Sequence, residues 1–378
     1  MKIGILTQPL RNNYGGLLQN YALQQVLQRL GHVPVTVDWD GRYSIKERLW
    51  RIRCYLLWRI GMLNKPQKYT LTKNEDAIIS QYTNQFISKY INHTSAAYSQ
   101  HSLNKSARNL KAQAFIVGSD QVWRKGYNAF LSSMFLDFVH DSAVRRIAYA
   151  ASFGSDGWGY TPGETLKLKP LVQKFDLVTV RERSGVDLCK CHFDVDAIHV
   201  IDPTMLLERE DYEKIVLAEN EHKSAGTLFH YILDPSEEKR GLIERLAAEQ
   251  DLKPFTIMPK CQAENRTKWD VKHRIEDCVF PSVTSWLRGV MDAEMVVVDS
   301  FHGAVFSIIF NKPFWVIGNS KRGNARFESL LGMFGLEDRM IDAGLVIDWN
   351  TPIDWQRVND IKEKERNRCI ELLKGSLE

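Results

Sequence analysis

The sequence predicts an α/β protein built of two doubly wound halves with a cleft between them. Its 378 residues exceed what one ordinary core holds. Short apolar runs alternate with helix-length amphipathic segments in both halves of the chain. The stretch from Ala293 to Gly318, AEMVVVDSFHGAVFSIIFNKPFWVIG, contains a complete strand–turn–helix–strand unit. In it an apolar run ends at Asp299, Ser300-Phe301-His302-Gly303 makes a polar turn, and an apolar helix follows. Asn311-Lys312-Pro313 then breaks the chain before a second β-rich run, Phe314 to Gly318. Ligands of open α/β sheets sit at the carboxyl ends of strands, where helix N-termini present free N–H groups. A histidine at such a turn, with Gly303 allowing close backbone approach, is placed to meet an anion. A capping or core histidine is the other reading.

The chain opens with a strand from Lys2 to Thr7, followed by the turn Arg11-Asn12-Asn13-Tyr14-Gly15-Gly16, whose residues tolerate unusual backbone angles. Leu17 to Leu30 repeats apolar residues at helical spacing, Gly31 is its stop, and Val33 to Trp39 is the next strand. The glycine-rich turn matches neither the Walker nor the GxGxxG pattern. It places Asn13, Tyr14, Gly15 and Gly16 at a strand's carboxyl end, facing the cleft. Arg42 to Pro66 differs: Lys46, Arg48, Arg51, Arg53, Arg59 and Lys65 alternate with Leu49, Trp50, Ile52, Leu56, Trp58 and Ile60. A basic, tryptophan-bearing helix of this kind fits an anionic membrane surface through about 44–63; a docked helix with solvated cations is the alternative.

From Ala114 the alternation resumes. Strands at Ala114 to Val117, Ile147 to Ala151 and Leu177 to Val180 deliver Asp120, Ser152 and Arg181 to one sheet edge. There a guanidinium is a forked donor for carboxylate or phosphate, or else a salt-bridge partner of Glu182. HVIDPTM, His199 to Met205, closes the first half. The second half is expected to hold strands at Thr227 to Leu233 and Pro254 to Met258 and helices at Arg240 to Glu249 and Val283 to Met291. After the 293–318 unit come a helix at Arg326 to Phe334 and a long charged helix from Asp354 to Leu373. We expect a first domain over 1–205, with a basic helical insert at about 42–105. A second domain covers 206–350, and a C-terminal helix over 351–378 packs back on the first.

Composition narrows the function. With 44% hydrophobic and 25% charged residues the chain has the balance of a soluble globular protein. A net charge of +4 and a pI near 8.6 are too mild to point to nucleic acid. The N-terminus reads as a strand and carries no signal sequence, so a cytoplasmic place is expected. Of the six cysteines only Cys189 and Cys191 lie close together, and no zinc-ligand spacing is present. Reduced structural thiols are expected, and no metal.

The strings NNYGGLLQNYALQQVL, FIVGSDQVW, VTVRERSG, IDPTMLL, VVDSFHGAVFSIIFNKPF and NSKRGNARFESLLGMFGL resemble the polysaccharide pyruvyl transferase family, in the family's order and over most of the chain. The resemblance implies two Rossmann-like domains around a central cleft, as in GT-B glycosyltransferases. It implies an enzyme that takes phosphoenolpyruvate as co-substrate, with no other cofactor. The product carries pyruvate across two sugar hydroxyls as a cyclic ketal, with phosphate released. The acceptor is then a surface polysaccharide or its lipid-linked precursor, at the inner face of the membrane.

By similarity, Arg181 and His302 match positions that the family uses at the donor, with Ser300 and Gly303 beside them. Arg322 and Arg326 are expected to complete the cationic pocket. Asp120 is the expected base for the acceptor hydroxyl, Asn13 to Gly16 the acceptor side, and Asp299 an orienter of His302 or a buried cap. The chain departs from the family pattern at Ser300, where several members carry arginine, and at Gly16, where many carry aspartate. A nucleotide-sugar glycosyltransferase of the same fold, and a non-catalytic member of a membrane-bound polysaccharide assembly complex, are the alternative readings.

Overall fold

The computed structural model describes residues 1–41, 45–60, 62, 69–128, 130–262, 266–318, 324–342 and 348–378, without the side chains of 45–48, 51, 55 and 58. The first sheet is formed by β1 (Lys2–Leu6), β2 (Val33–Thr36), β3 (Ala114–Val117), β4 (Arg145–Ala151), β5 (Leu177–Val180) and β6 (Ile198–His199). They lie in the order β2-β1-β3-β4-β5-β6, every pair parallel. Most of these strands are apolar and buried, as a sheet covered on both faces requires. Helix α1 (Tyr14–Arg29) follows β1 and ends at Gly31, whose φ of 82° lets His32 N–H reach back to Leu27 O at 3.0 Å.

Between β2 and β3 the described residues form four helices: α2 (Ile45–Arg59), α3 (Lys73–Ile79), α4 (Gln81–Tyr90) and α5 (Gln100–Asn109). Helices α6 (Pro162–Val172) and α7 (Arg183–Leu188) complete the first half.

Helix α8 (Arg209–Ala218) leads into the second half. There β7 (Leu228–Tyr231), α9 (Glu237–Glu249), β8 (Pro254–Phe255), α10 (Lys268–His273) and α11 (Val283–Asp292) come first. They are followed by β9 (Met295–Val298), α12 (Phe301–Ile309), β10 (Phe314–Ile317), α13 (Ala325–Phe334) and β11 (Met340–Ile341). The sheet order is β11-β10-β9-β7-β8, again parallel throughout. Counted from each half's own first strand, both sheets run 2-1-3-4-5, the first adding β6 as a sixth strand, so the halves share one core topology. The expected α/β architecture of two Rossmann-like domains around a cleft is what the chain adopts.

The halves are packed, not merely tethered. One apolar cluster runs from Ile5 and Leu18 of the first half through Phe306 and Phe334 of the second. Tyr14 crosses the junction: its ring lies 6.1 Å from that of Tyr231 and 5.9 Å from Trp286, and its hydroxyl donates to Pro281 O at 3.0 Å. The last helix, α14 (Trp355–Leu377), returns to the first sheet, where Arg368 Nη2 donates to His199 O at 2.8 Å. Among the described residues, no helix is long and apolar enough to cross a membrane.

Candidate active site

In a 2-1-3-4-5 sheet the strand order reverses between the first and third strands, and the crevice opens at their carboxyl ends. Here the two reversals face each other. The ends of β1 and β3 on one side, and of β7 and β9 on the other, border a cavity of about 310 Å³. Helices α1 and α12 begin there and bring two positively polarised N-termini to it.

Both helices start earlier than the turn-like sequences suggest. Asn13 caps α1, accepting from Gly16 N–H at 3.1 Å, so Gly15 and Gly16 belong to the first helical turn. Ser300 caps α12, accepting from Gly303 N–H at 3.1 Å, which puts His302 in the first turn as well. These caps occupy the N–H groups of Gly16 and Gly303, while Gly15 and His302 line the cavity. A Cβ on Gly15 would lie 2.0 Å from His302 Nδ1, so only glycine admits the imidazole against α1.

On its other side His302 meets Asp202, whose Oδ2 lies 3.5 Å from Nε2. Asp202 is wholly buried and heavily bonded. Its Oδ1 accepts from Thr204 N–H and Oγ at 3.0 and 2.8 Å, and its Oδ2 from Ser119 Oγ and Arg181 Nη1, both at 2.9 Å. Burial alone would raise its pKa, but His302, Arg181 and the Thr204 amide outweigh that and hold it well below the usual carboxylate range. Asp202 has no role legible from IDPTM alone; the signal for it is its place just past the last strand of the first half.

Arg181 sits under the cavity rather than in its wall, which corrects the expectation of a guanidinium open to a small anion. It is 3% exposed. Nη1 is 2.9 Å from Asp202, Nη2 3.3 Å from Asp120 and Nε 3.8 Å from Glu182, and the guanidinium carbon stacks 4.2 Å from the centre of the Phe301 ring. Burial lowers its pKa, yet the three carboxylates raise it further. Glu182, which accepts from Ser152 Oγ, also moves up, opposite to Asp202: burial raises its pKa beyond what Arg181 recovers.

Asp120 does line the cavity, at a φ of 71°. Burial raises its pKa, but Arg181, His302 and Arg326 bring the net below the ordinary value. Its second oxygen accepts from Asn13 Nδ2 at 3.4 Å. Among the described residues, Arg326, in the first turn of α13, is the arginine that lines the cavity, nearly buried at 8% exposure. Burial and the like charge of Arg181 lower its pKa, and its Nε has no hydrogen-bond partner among the described residues. The structure therefore gathers Asn13, Gly15, Asp120, Ser300, His302 and Arg326 at one cavity.

Other expected positions fall elsewhere. Tyr14 is a buried bolt between the halves, and Gly16 and Gly303 pack inside their helices. Asp299 borders the cavity but does not orient His302: it accepts from the Leu233 and Asp234 amides at 2.6 and 3.0 Å and pairs with Lys239 at 2.7 Å. Arg322 lies outside the described residues. Among those described, no group of three or more His, Cys, Asp or Glu side chains is arranged to hold a metal ion.

Several solved structures resemble the chain over its whole length. UDP-GlcNAc 2-epimerase from Neisseria meningitidis, bound to UDP-GlcNAc, is 10% identical with a TM-score of 0.49, covering 100% of this chain and 99% of that one. MnaA of S. aureus with UDP is 13% identical at a TM-score of 0.47, covering 100% and 91%. Among characterised proteins with curated sequences, none matches the chain. The sequence profile of the polysaccharide pyruvyl transferase family matches residues 13–321, from the cap of α1 to just past β10. The match takes in every residue of the cavity named above except Arg326, and the chain belongs to the polysaccharide pyruvyl transferase family.

Proposed function

We propose that the chain transfers the pyruvyl group of phosphoenolpyruvate to two hydroxyls of a sugar, in a surface polysaccharide or its lipid-linked precursor, at the cytoplasmic face of the membrane. The observation that carries this reading is the setting of His302. The imidazole stands at the N-terminus of α12, 3.5 Å from the ionised Asp202, in a cavity that also receives the α1 terminus and Arg326. A small, multiply charged anion meets two helix dipoles and a guanidinium there, at a site partly closed to water.

The chemistry assigns roles to these groups. Protonated His302 gives its proton to C3 of the donor, which becomes the methyl group of the ketal, and C2 takes on positive charge. A sugar hydroxyl adds to C2 and its proton goes back to the imidazole. The C2–O bond to phosphate then breaks, the oxygen leaving with the electron pair, and a second hydroxyl closes the ring as its proton passes to the released phosphate. Asp202 holds the ring in place and stabilises the imidazolium each time it forms. The depressed pKa of Asp120 makes it a weak base, so it suits orienting the acceptor hydroxyl by hydrogen bonding better than removing its proton. Arg326 grips phosphate or carboxylate, and the buried Arg181 fixes Asp120 and Asp202.

The test is incubation of the purified chain with phosphoenolpyruvate and a panel of saccharide acceptors, read by mass spectrometry and phosphate release. The expected result is the mass gain of a ketal-linked pyruvate with one phosphate per product. Turnover of UDP-sugars with neither ketal nor phosphoenolpyruvate-dependent phosphate would overturn the reading.

A further inference from the structure

Helix α2 presents an apolar stripe outward. In a helix that docks on its own protein the apolar stripe faces inward. Here Leu49, Ile52, Leu56 and Ile60 share one stripe, spaced by three and four residues, and they are 61, 50, 57 and 68% exposed. The half-buried positions Cys54 and Leu57 lie off that stripe. Arg53 borders it on one side and Arg59 on the other, both exposed, and Trp50 and Met62 add exposed apolar surface near its two ends. Over residues 45–60 the sequence carries five basic residues against one acid, Glu47.

We infer that α2 lays this stripe on an anionic lipid surface. An apolar strip flanked by guanidiniums matches the acyl boundary beneath negatively charged headgroups, with the aliphatic residues inserted and the arginines at phosphate level. A second copy of the chain fits the surface badly, because a face-to-face contact would bring two strongly basic helices together. At 15 residues the helix is too short to span a bilayer, so it lies in the interface. The helix follows the carboxyl end of β2, the sheet edge that also borders the cavity. Docking there would hold that edge towards the membrane, where a lipid-linked saccharide is presented. The surface itself is inferred from α2 alone and stands whether or not pyruvyl transfer is the reaction.

The experiment is flotation of the whole chain with vesicles of phosphatidylcholine, alone or mixed with phosphatidylglycerol. Three proteins are compared: wild type, Leu49→Ser/Leu56→Ser/Ile60→Ser, and Arg53→Gln/Arg59→Gln. Wild type should float with the mixed vesicles and far less with phosphatidylcholine. The serine variant should lose about tenfold or more of its partitioning, and the glutamine variant about fivefold per arginine, with melting temperatures unchanged. Wild type failing to float, or floating equally with both vesicles, would overturn the inference. So would a serine variant that melts several degrees lower, since the stripe would then be covered by the chain itself. A wild-type dimer in sedimentation velocity that the serine variant dissolves would assign the stripe to a second copy instead.

Discussion

At the scale of single residues the site turns on how the imidazole of His302 is held, and Gly15 gives the sharpest test. A glycine-to-alanine change inside a helix ordinarily stabilises, by up to about 1 kcal/mol. Here the new methyl would sit 2.0 Å from Nδ1 and must push the ring aside. Gly15→Ala should therefore keep the helical circular dichroism of wild type while kcat falls about a hundredfold or more; a wild-type rate would show that the ring's position does not matter. Arg326 offers the complementary test. It is buried beside Arg181 with Nε unpartnered among the described residues, so Arg326→Met should leave the free protein as stable, or more stable by about 1 kcal/mol. Phosphoenolpyruvate at a hundred times its Kd should stabilise wild type by about 2.7 kcal/mol and the variant hardly at all, as thermal shift would read. Part of this site was legible in the sequence, because His302, Asp120 and Arg326 follow strand ends, which places them at the cleft edge. Depth was not legible. Strand-end logic brings Arg181 and Asp202 to the same edge but cannot tell that β5 and the turn after β6 bury them beneath the cavity, charge against charge.

At the scale of elements, the strands were readable because parallel strands covered on both faces must be apolar throughout, as AFIV, MVVV and FWVI are. Helices α1 and α12 begin earlier than their apolar period predicts, at Tyr14 and Phe301. Their first turns carry Asn-Tyr-Gly-Gly and Ser-Phe-His-Gly, residues chosen to cap the helix and admit the imidazole, and such residues look like loop when only apolar period is counted. The edge strand β8 is shorter than the predicted Pro254 to Met258; it pairs only over Pro254–Phe255 before Met258 and Pro259 wall the cavity. Ser300 shows what a capping residue does for the element. Its hydroxyl closes the first turn of α12, so Ser300→Ala should cost about 1 kcal/mol of stability in urea denaturation. A loss of cap would also let the first turn fray beneath His302, and kcat should fall with it. An unchanged urea midpoint would mean that the cap is replaced by solvent.

At the scale of the whole molecule, a chain of this length with two sheets would ordinarily unfold in two steps, one per domain. The apolar cluster argues otherwise, since it passes without interruption from the first sheet through α12 and α14 to the second. Neither half can lose its packing without exposing the face the other rests on. Acid should act through the same coupling. Asp120 and Asp202 have folded pKa values below their unfolded ones, so their stabilisation is complete above about pH 4 and is lost as pH falls through the folded values. Protonating them strands the charge of Arg181 in the interior of the first half, and the second half should follow it. Heating at neutral pH, and titration below about pH 4, should each therefore give one transition, coincident by tryptophan fluorescence and circular dichroism, with equal calorimetric and van't Hoff enthalpies on heating. Tyr14 is the place to break the coupling, because its ring and hydroxyl reach from α1 to Tyr231, Trp286 and Pro281. Tyr14→Ala should cost about 3–5 kcal/mol and split the single melt into two. A wild type that already melts in two steps would mean that the halves hold their cores independently and that the shared cluster is contact without cooperativity.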